Sequence, residues 1–290
     1  MSSKSLKYLM LRNLETKLAL GVSKKETKEN LKARVSPNIH SIKTFEGYIE
    51  HVSAFANYIK NNNEISIKPR TLEGAKDYAQ GYIDTQKSTW SASTIRSAIA
   101  KALNCEGSQL AEVSRREPKN ITQHREITQK QETMQRNHPE LVEICRSSGG
   151  RHSELVFARA KDVKIHESDV YLHVERSKGG KSRDVLIMPG PGRDALVCRA
   201  SERSGNEHIF DKGEIPEHFD THSLRAKGYA CSCYDYAKDH GYSSGKTYTP
   251  RDGSGRVFDT GCLNFVSHNL GHNDDRFYTV VYSYLYNYGK

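Results

Sequence analysis

The sequence has no CxxC pair, no uninterrupted apolar run near the ~18 to 20 residues a spanning helix needs, and no internal repeat at a period of about 20 to 50 residues. The first absence argues against a zinc ribbon or a redox dithiol, so Cys105, Cys145, Cys198, Cys231, Cys233 and Cys262 are expected to be reduced thiols. The second excludes a helical membrane span. Met1 to Leu11 also lacks a signal-peptide apolar stretch and a small-residue cleavage site, so a cytoplasmic chain with no membrane partner is expected. The third excludes solenoids and propellers. Acids are in short supply as well: 35 Asp and Glu face 44 Lys and Arg, a net charge of +9 that favours a polyanionic partner such as nucleic acid or, as the weaker option, an anionic membrane face. What remains is a chain of 290 residues, enough for one or two domains, whose 16 Tyr and 8 Phe supply more aromatic surface than a disordered polymer carries.

Residues 1–35 hold nine Lys or Arg against three acids, and Ser36-Pro37-Asn38 then interrupts any helix. This stretch is expected to be a basic leading segment, either a solvated helix face or a DNA-contacting arm. From Ser41, the apolar residues Phe45, Ile49, Val52, Ala56 and Ile59 recur at steps of four and three, one stripe of an amphipathic helix. Further helices are predicted around Leu72, Ala75, Ala79 and Tyr82, and around Ile95, Ile99 and Ala102, making a small bundle over 36–112. Glu106 to Asn120 is polar, carries Gly107 and Pro118 and lacks periodicity; the linker is set at 113–121, leaving 122–290 as a second domain.

In that domain a helix is predicted over Met134–Arg146, stopped by Gly149-Gly150 and followed by another from Arg151. Val170, Leu172 and Val174, then Val185 and Ile187, alternate with polar residues across the basic turn Ser177-Lys178-Gly179-Gly180-Lys181-Ser182, which describes a β-hairpin. Helical character returns over His222–Lys238 and Asn264–Tyr286. The fold class is therefore mainly α with a small β-hairpin or sheet.

Four separated features matter jointly: Arg151 in Gly149-Gly150-Arg151-His152-Ser153-Glu154-Leu155, Lys178 at the hairpin tip, His222-Ser223-Leu224-Arg225, and Leu270-Gly271-His272 followed by tyrosines. None suffices alone; the HxxR spacing recurs at His173 to Arg176. Their order resembles the tyrosine recombinase family of phage and mobile-element integrases, over about residues 120 to 290. Arg251-Asp252-Gly253-Ser254-Gly255-Arg256-Val257-Phe258 and Val266-Ser267-His268-Asn269-Leu270-Gly271-His272-Asn273 are similar to a subgroup of integrase-type sequences. The preceding bundle is similar in kind to the family's core-DNA-binding domain, without a motif to support it.

The chemistry suits these residue types. A phosphodiester under attack gathers charge on its nonbridging oxygens, and two guanidiniums, Arg151 and Arg225, hold such charge with fixed forks. The resemblance implies that Lys178, with Lys181 as its rival, protonates the departing 5′ oxygen. It implies that His222 accepts the nucleophile's proton and that His272 hydrogen-bonds a nonbridging oxygen, while Glu154 is either a brace behind the site or an ordinary surface acid. His268 is taken as structural. The nucleophile is a late phenol: the usual interval after the LGH histidine favours Tyr282, whereas aligning Arg276 with Tyr284-Leu285 across an Asp274-Asp275 insertion favours Tyr284, the residue chosen.

By the same resemblance the chain is a site-specific recombinase, nucleoid-associated, working without metal or cofactor as a two-domain clamp on double-stranded DNA, four protomers to two duplexes. A type IB topoisomerase-like enzyme and a catalytically silent DNA-binding regulator are the alternatives. The sequence departs from the family at Gly150, where leucine is usual, in the His272-to-tyrosine interval, and in the six residues after Tyr284, where many relatives carry a longer docking helix.

Overall fold

Serine and threonine caps punctuate the first part of the chain. In the computed structural model, which describes residues 4–62, 65, 67–114, 127–175, 177 and 182–289, Ser5, Ser23, Ser41, Thr71 and Ser88 each accept a backbone N–H from three residues on. They open helices α1 (Leu6–Glu15), α2 (Lys24–Asn30), α3 (Ile42–Asn61), α4 (Leu72–Ala75) and α6 (Thr89–Ala102). Between the last two lie a 3₁₀ turn and α5 (Ala79–Asp84), and α7 (Gly107–Leu110) closes the series. The chain divides into two units, Met1–Ile121 and Thr122–Lys290.

The first unit is a helical bundle. Val52, Phe55, Ala56 and Ile59 of α3 pack toward Ile95, Ala98, Ile99 and Ala102 of α6, where the alanines allow close approach. The basic leading segment is not a free-standing arm. Met10 and Leu14, one helical turn apart on α1, are fully buried in the same core, while Lys7 and Arg12 stay on the outer side. Leu110 and Ala111 are also buried there, so the polar stretch from Glu106 begins as part of the bundle. Most of the expected 113–121 linker lies outside the described residues.

In the second unit the single helix predicted over Met134–Arg146 is two, α8 (Gln129–Asn137) and α9 (Pro139–Ser148). The reason is Pro139, which has no N–H to continue α8 and takes the first position of α9. Arg151 is the N-cap residue of α10 (His152–Val156). A three-stranded antiparallel sheet follows, in the order β1 (Val163–His166), β2 (Asp169–Val174), β3 (Arg183–Ile187). Leu172 pairs with Val185 and Val174 with Arg183, so the hairpin has one apolar face that carries a single guanidinium. Strand β1 was not expected; its short run, Val163 to His166, is half polar and only partly buried.

Beyond α11 (Pro191–Ser201), Asp220 caps α12 (Thr221–Leu224), which passes through a π-helical turn, Arg225–Tyr229, into α13 (Ala230–Asp239). A short pair, β4 (Thr247–Tyr248) and β5 (Phe258–Asp259), brackets the Arg251–Val257 loop. The helix predicted over Asn264–Tyr286 is likewise two, α14 (Thr260–Asn269) and α15 (Phe277–Ser283), broken at Gly271. Tyr284 therefore caps α15 and is not inside it. Among the described residues, no helix is long and apolar enough to cross a membrane.

Candidate active site

The site is built around the carbonyl of Leu270. Gly271 follows in the left-handed region at φ +70°, and a β-carbon there would meet the Arg183 guanidinium at 2.8 Å, so both the turn and the close packing require glycine. The Leu270 oxygen accepts from Nη2 of Arg151 at 2.9 Å and from Nη2 of Arg225 at 2.7 Å. Two cations from distant parts of the chain thus converge on one acceptor.

Glu154 braces the first of them. It is buried, and Oε1 accepts from Arg151 Nη1 at 2.6 Å, from Ser177 Oγ at 2.8 Å and from Arg183 Nη1 at 3.1 Å. Oε2 takes the Arg151 backbone N–H and Arg183 Nη2, both at 2.9 Å. Burial opposes the charge, but the hydrogen bonds and charge of Arg183, then those of Arg151, prevail and hold the carboxyl at about 2. Glu154 is thus a brace and not a surface acid.

Arg225 is in a different position. It is 1 % exposed, its Nε has no hydrogen-bond partner, and Glu154 pairs with Arg151 and Arg183 instead. No described carboxylate forms an ion pair with it. Burial, partly offset by Tyr284 and reinforced by Arg151, pulls its pKa down to about 10. A buried cation with an unfilled donor is a site that an anion would satisfy.

Tyr284 is 4 % exposed and sits in this group. Its hydroxyl and His272 Nε2 share a 3.2 Å hydrogen bond, its ring lies 5.5 Å from the Arg225 guanidinium carbon, and the exposed His222 ring lies 5.1 Å from it, centroid to centroid. The histidine next to the phenol is thus His272, the one expected to contact phosphate. Burial, then the charges of Arg225 and Arg151, lower its pKa to about 4, so it is neutral at physiological pH. Tyr282 is engaged elsewhere, its ring 4.4 Å from that of Tyr278, and His268 is exposed. Lys178 and Lys181 fall outside the described residues; Ser177, which precedes Lys178, donates to Glu154 and accepts from Arg151 Nη1 at 2.7 Å. Among the described residues, no cluster of His, Cys, Asp or Glu could hold a metal ion.

No protein-family profile matches the chain, and no curated protein matches it. A solved structure does, the crystal structure of the XerH site-specific recombinase bound to palindromic difH substrate in a post-cleavage complex. It is 15% identical, covers 98% of this chain and 93% of its own, and has a TM-score of 0.56. The chain has the tyrosine recombinase fold. Weaker likenesses are to XerA recombinase (16% identity, 96% and 93% coverage, TM-score 0.30) and to the Tn1549 transposon integrase with circular intermediate DNA (14%, 94% and 91%, TM-score 0.35). The XerH likeness alone carries the assignment.

Within the tyrosine recombinase fold, Arg183 is the site residue that sequence reasoning passed over. A signal was there: on β3 it shares the register of Val185 and Ile187, a charge at an apolar-face position of an alternating strand. The Leu270 carbonyl left no such trace, because a backbone acceptor has no residue-type signature.

Proposed function

We propose that the chain is a site-specific DNA recombinase that cleaves and rejoins strands through a 3′-phosphotyrosine, with Tyr284 as nucleophile. The observation that carries this is the convergence of Arg151 and Arg225 on the Leu270 carbonyl beside the Tyr284 phenol, with Arg225 buried and lacking a carboxylate partner among the described residues. A phosphate oxygen would take up donors of both guanidiniums, including Arg225 Nε, and neutralise the buried charge. The phenolic oxygen forms a bond to phosphorus as the bond to the 5′ oxygen breaks. The phenolic proton passes to an imidazole: neutral His272 is hydrogen-bonded to it and His222 lies over the ring. Lys178 supplies a proton to the leaving 5′ oxygen, and the 5′ hydroxyl of a partner strand reverses the step.

Double-stranded DNA is the substrate, and recombination requires two duplexes, held by four protomers in this proposal. The test uses a pool of randomised duplexes carrying a nick, from which covalently bound DNA is recovered after denaturation of the protein. The wild type is expected to retain DNA, Tyr284→Phe to lose it and Tyr282→Phe to keep it. Loss in Tyr282→Phe alone would overturn the nucleophile. An adduct without exchange between two labelled duplexes would point to a topoisomerase-like enzyme, and tight binding with no adduct to a silent regulator.

A further inference from the structure

The Arg251–Val257 loop resembles an integrase subgroup, yet none of its residues lies among those just assigned to cleavage. Its last arginine is nonetheless fully engaged. Arg256 Nη1 donates to the backbone carbonyls of Leu285 at 2.9 Å, Tyr286 at 3.0 Å and Tyr288 at 3.4 Å. Nη2 donates to Asp252 Oδ2 at 2.8 Å and Nε to Ser254 Oγ at 3.0 Å. Its side chain is only 11 % exposed.

The loop is shaped to hold that fork. Gly253 and Gly255 both have positive φ, +74° and +68°, which turns the chain back so that Asp252 meets Arg256. The other oxygen of Asp252 accepts the backbone N–H of Ser254 at 3.0 Å and its hydroxyl at 2.5 Å. The Ser254 hydroxyl hydrogen bond first, then burial opposing it, and further hydrogen bonds from Ser254 and Arg256 set the carboxyl at about 2. The carboxylate thus stays charged and keeps the guanidinium oriented.

The three carbonyls belong to the segment directly after Tyr284. Helix α15 ends at Ser283, and the N–H groups of Tyr284 and Leu285 both reach Val280 O, so no regular helix continues to fix the phenol. Where residues 285 to 288 sit decides where Tyr284 sits. The Tyr288 hydroxyl on Asp235 and its ring beside Tyr234 anchor the far end. Arg256 anchors the near end.

We propose that Arg256 is a positioning residue for the nucleophile: it gathers the carbonyls behind Tyr284 and thereby sets the phenol against Arg225 and His272. This rests on the functional reading above. A lysine could reach the carbonyls but could not also fork to Asp252 and Ser254.

The test compares the full-length wild type with Arg256→Met and Arg256→Lys, each also carrying 3-fluorotyrosine at position 284. Covalent capture is timed on a nicked duplex recovered from the randomised pool. With the duplex saturating, Arg256→Met is expected to slow adduct formation roughly 10- to 100-fold while binding affinity stays within about twofold, and Arg256→Lys to recover part of the rate. The fluorine resonance at position 284 should shift or broaden in Arg256→Met. Unchanged rate with an unchanged resonance overturns the proposal. So does a parallel loss of DNA binding and cooperative melting in both variants, which would make Arg256 a general stabilising residue. If the wild type forms no adduct, the recombinase reading fails, and the fluorine comparison in the free protein still decides whether Arg256 holds the Tyr284 ring.

Discussion

Arg225 carries a buried charge with no carboxylate partner among the described residues, an arrangement that costs stability unless an anion is bound. Arg225→Met, which keeps most of the volume and removes the charge, should leave the free protein melting at the same or a higher temperature. The same change should reduce cleavage by about 10²- to 10³-fold or more, as loss of one oxyanion donor does. Calorimetry and adduct kinetics check the two halves. A large fall in melting temperature would show that the Leu270 bond outweighs desolvation. Two neighbours set the acid response. His272 has a folded pKa of about 4, below its ordinary 6.5, so the folded state binds fewer protons than the unfolded state between those values, and stability falls as pH drops through that window. Glu154, at about 2 against an ordinary 4.5, adds a second loss as pH falls from 4.5 toward 2. Melting curves of the wild type and His272→Gln between pH 7 and about 4 should differ in slope, with the variant flatter.

The elements show why the pieces of the candidate site can be far apart in sequence yet meet. Arg151 caps α10, Arg225 opens a π-helical turn, Leu270 ends α14 and Tyr284 ends α15, so each group sits at a helix terminus or irregularity. Such places leave backbone and side-chain groups available for something other than helix hydrogen bonds. Gly150 belongs to the same logic. A β-carbon there would lie 2.8 Å from the Leu155 side chain, and Leu155 is fully buried. The glycine in place of the family's usual leucine is thus matched by local packing. Gly150→Leu should destabilise the second unit by about 1–3 kcal/mol, the usual range for overpacking, measurable by urea unfolding. Several helices were legible because apolar stripes such as that of α3 are local signals, whereas the capping serine of α6 is Ser88. Of the two that were drawn too long, one is broken by Pro139 and the other by the non-helical stretch from Leu270 to Arg276 that carries Gly271.

For the molecule as a whole, the excess of 44 cations over 35 acids should give the proposed DNA binding a strong salt dependence. Six to ten phosphate contacts would lower affinity by about 10³- to 10⁵-fold between 50 and 200 mM salt, readable by fluorescence anisotropy on the recovered duplex. A flat response would contradict a backbone-clamping mode. Composition and periodicity were enough to reach the helical class and its hairpin, which depend on residue types and short spacings, and the ordered Arg–Lys–HxxR–LGH–Tyr pattern resembles the tyrosine recombinases, whose fold the chain has. Three things lay beyond them. The phenol already chosen, Tyr284, meets the Arg225 guanidinium and His272, Arg183 stands behind Glu154, and Arg256 reaches the carbonyls after Tyr284. Glu154 and Arg183, and Arg256 and Leu285, are each 29 residues apart, and Arg151 and the Leu270 carbonyl it meets are 119 apart. Local patterns carry no record of such meetings, which arise only when helix ends and strand register are packed into one core.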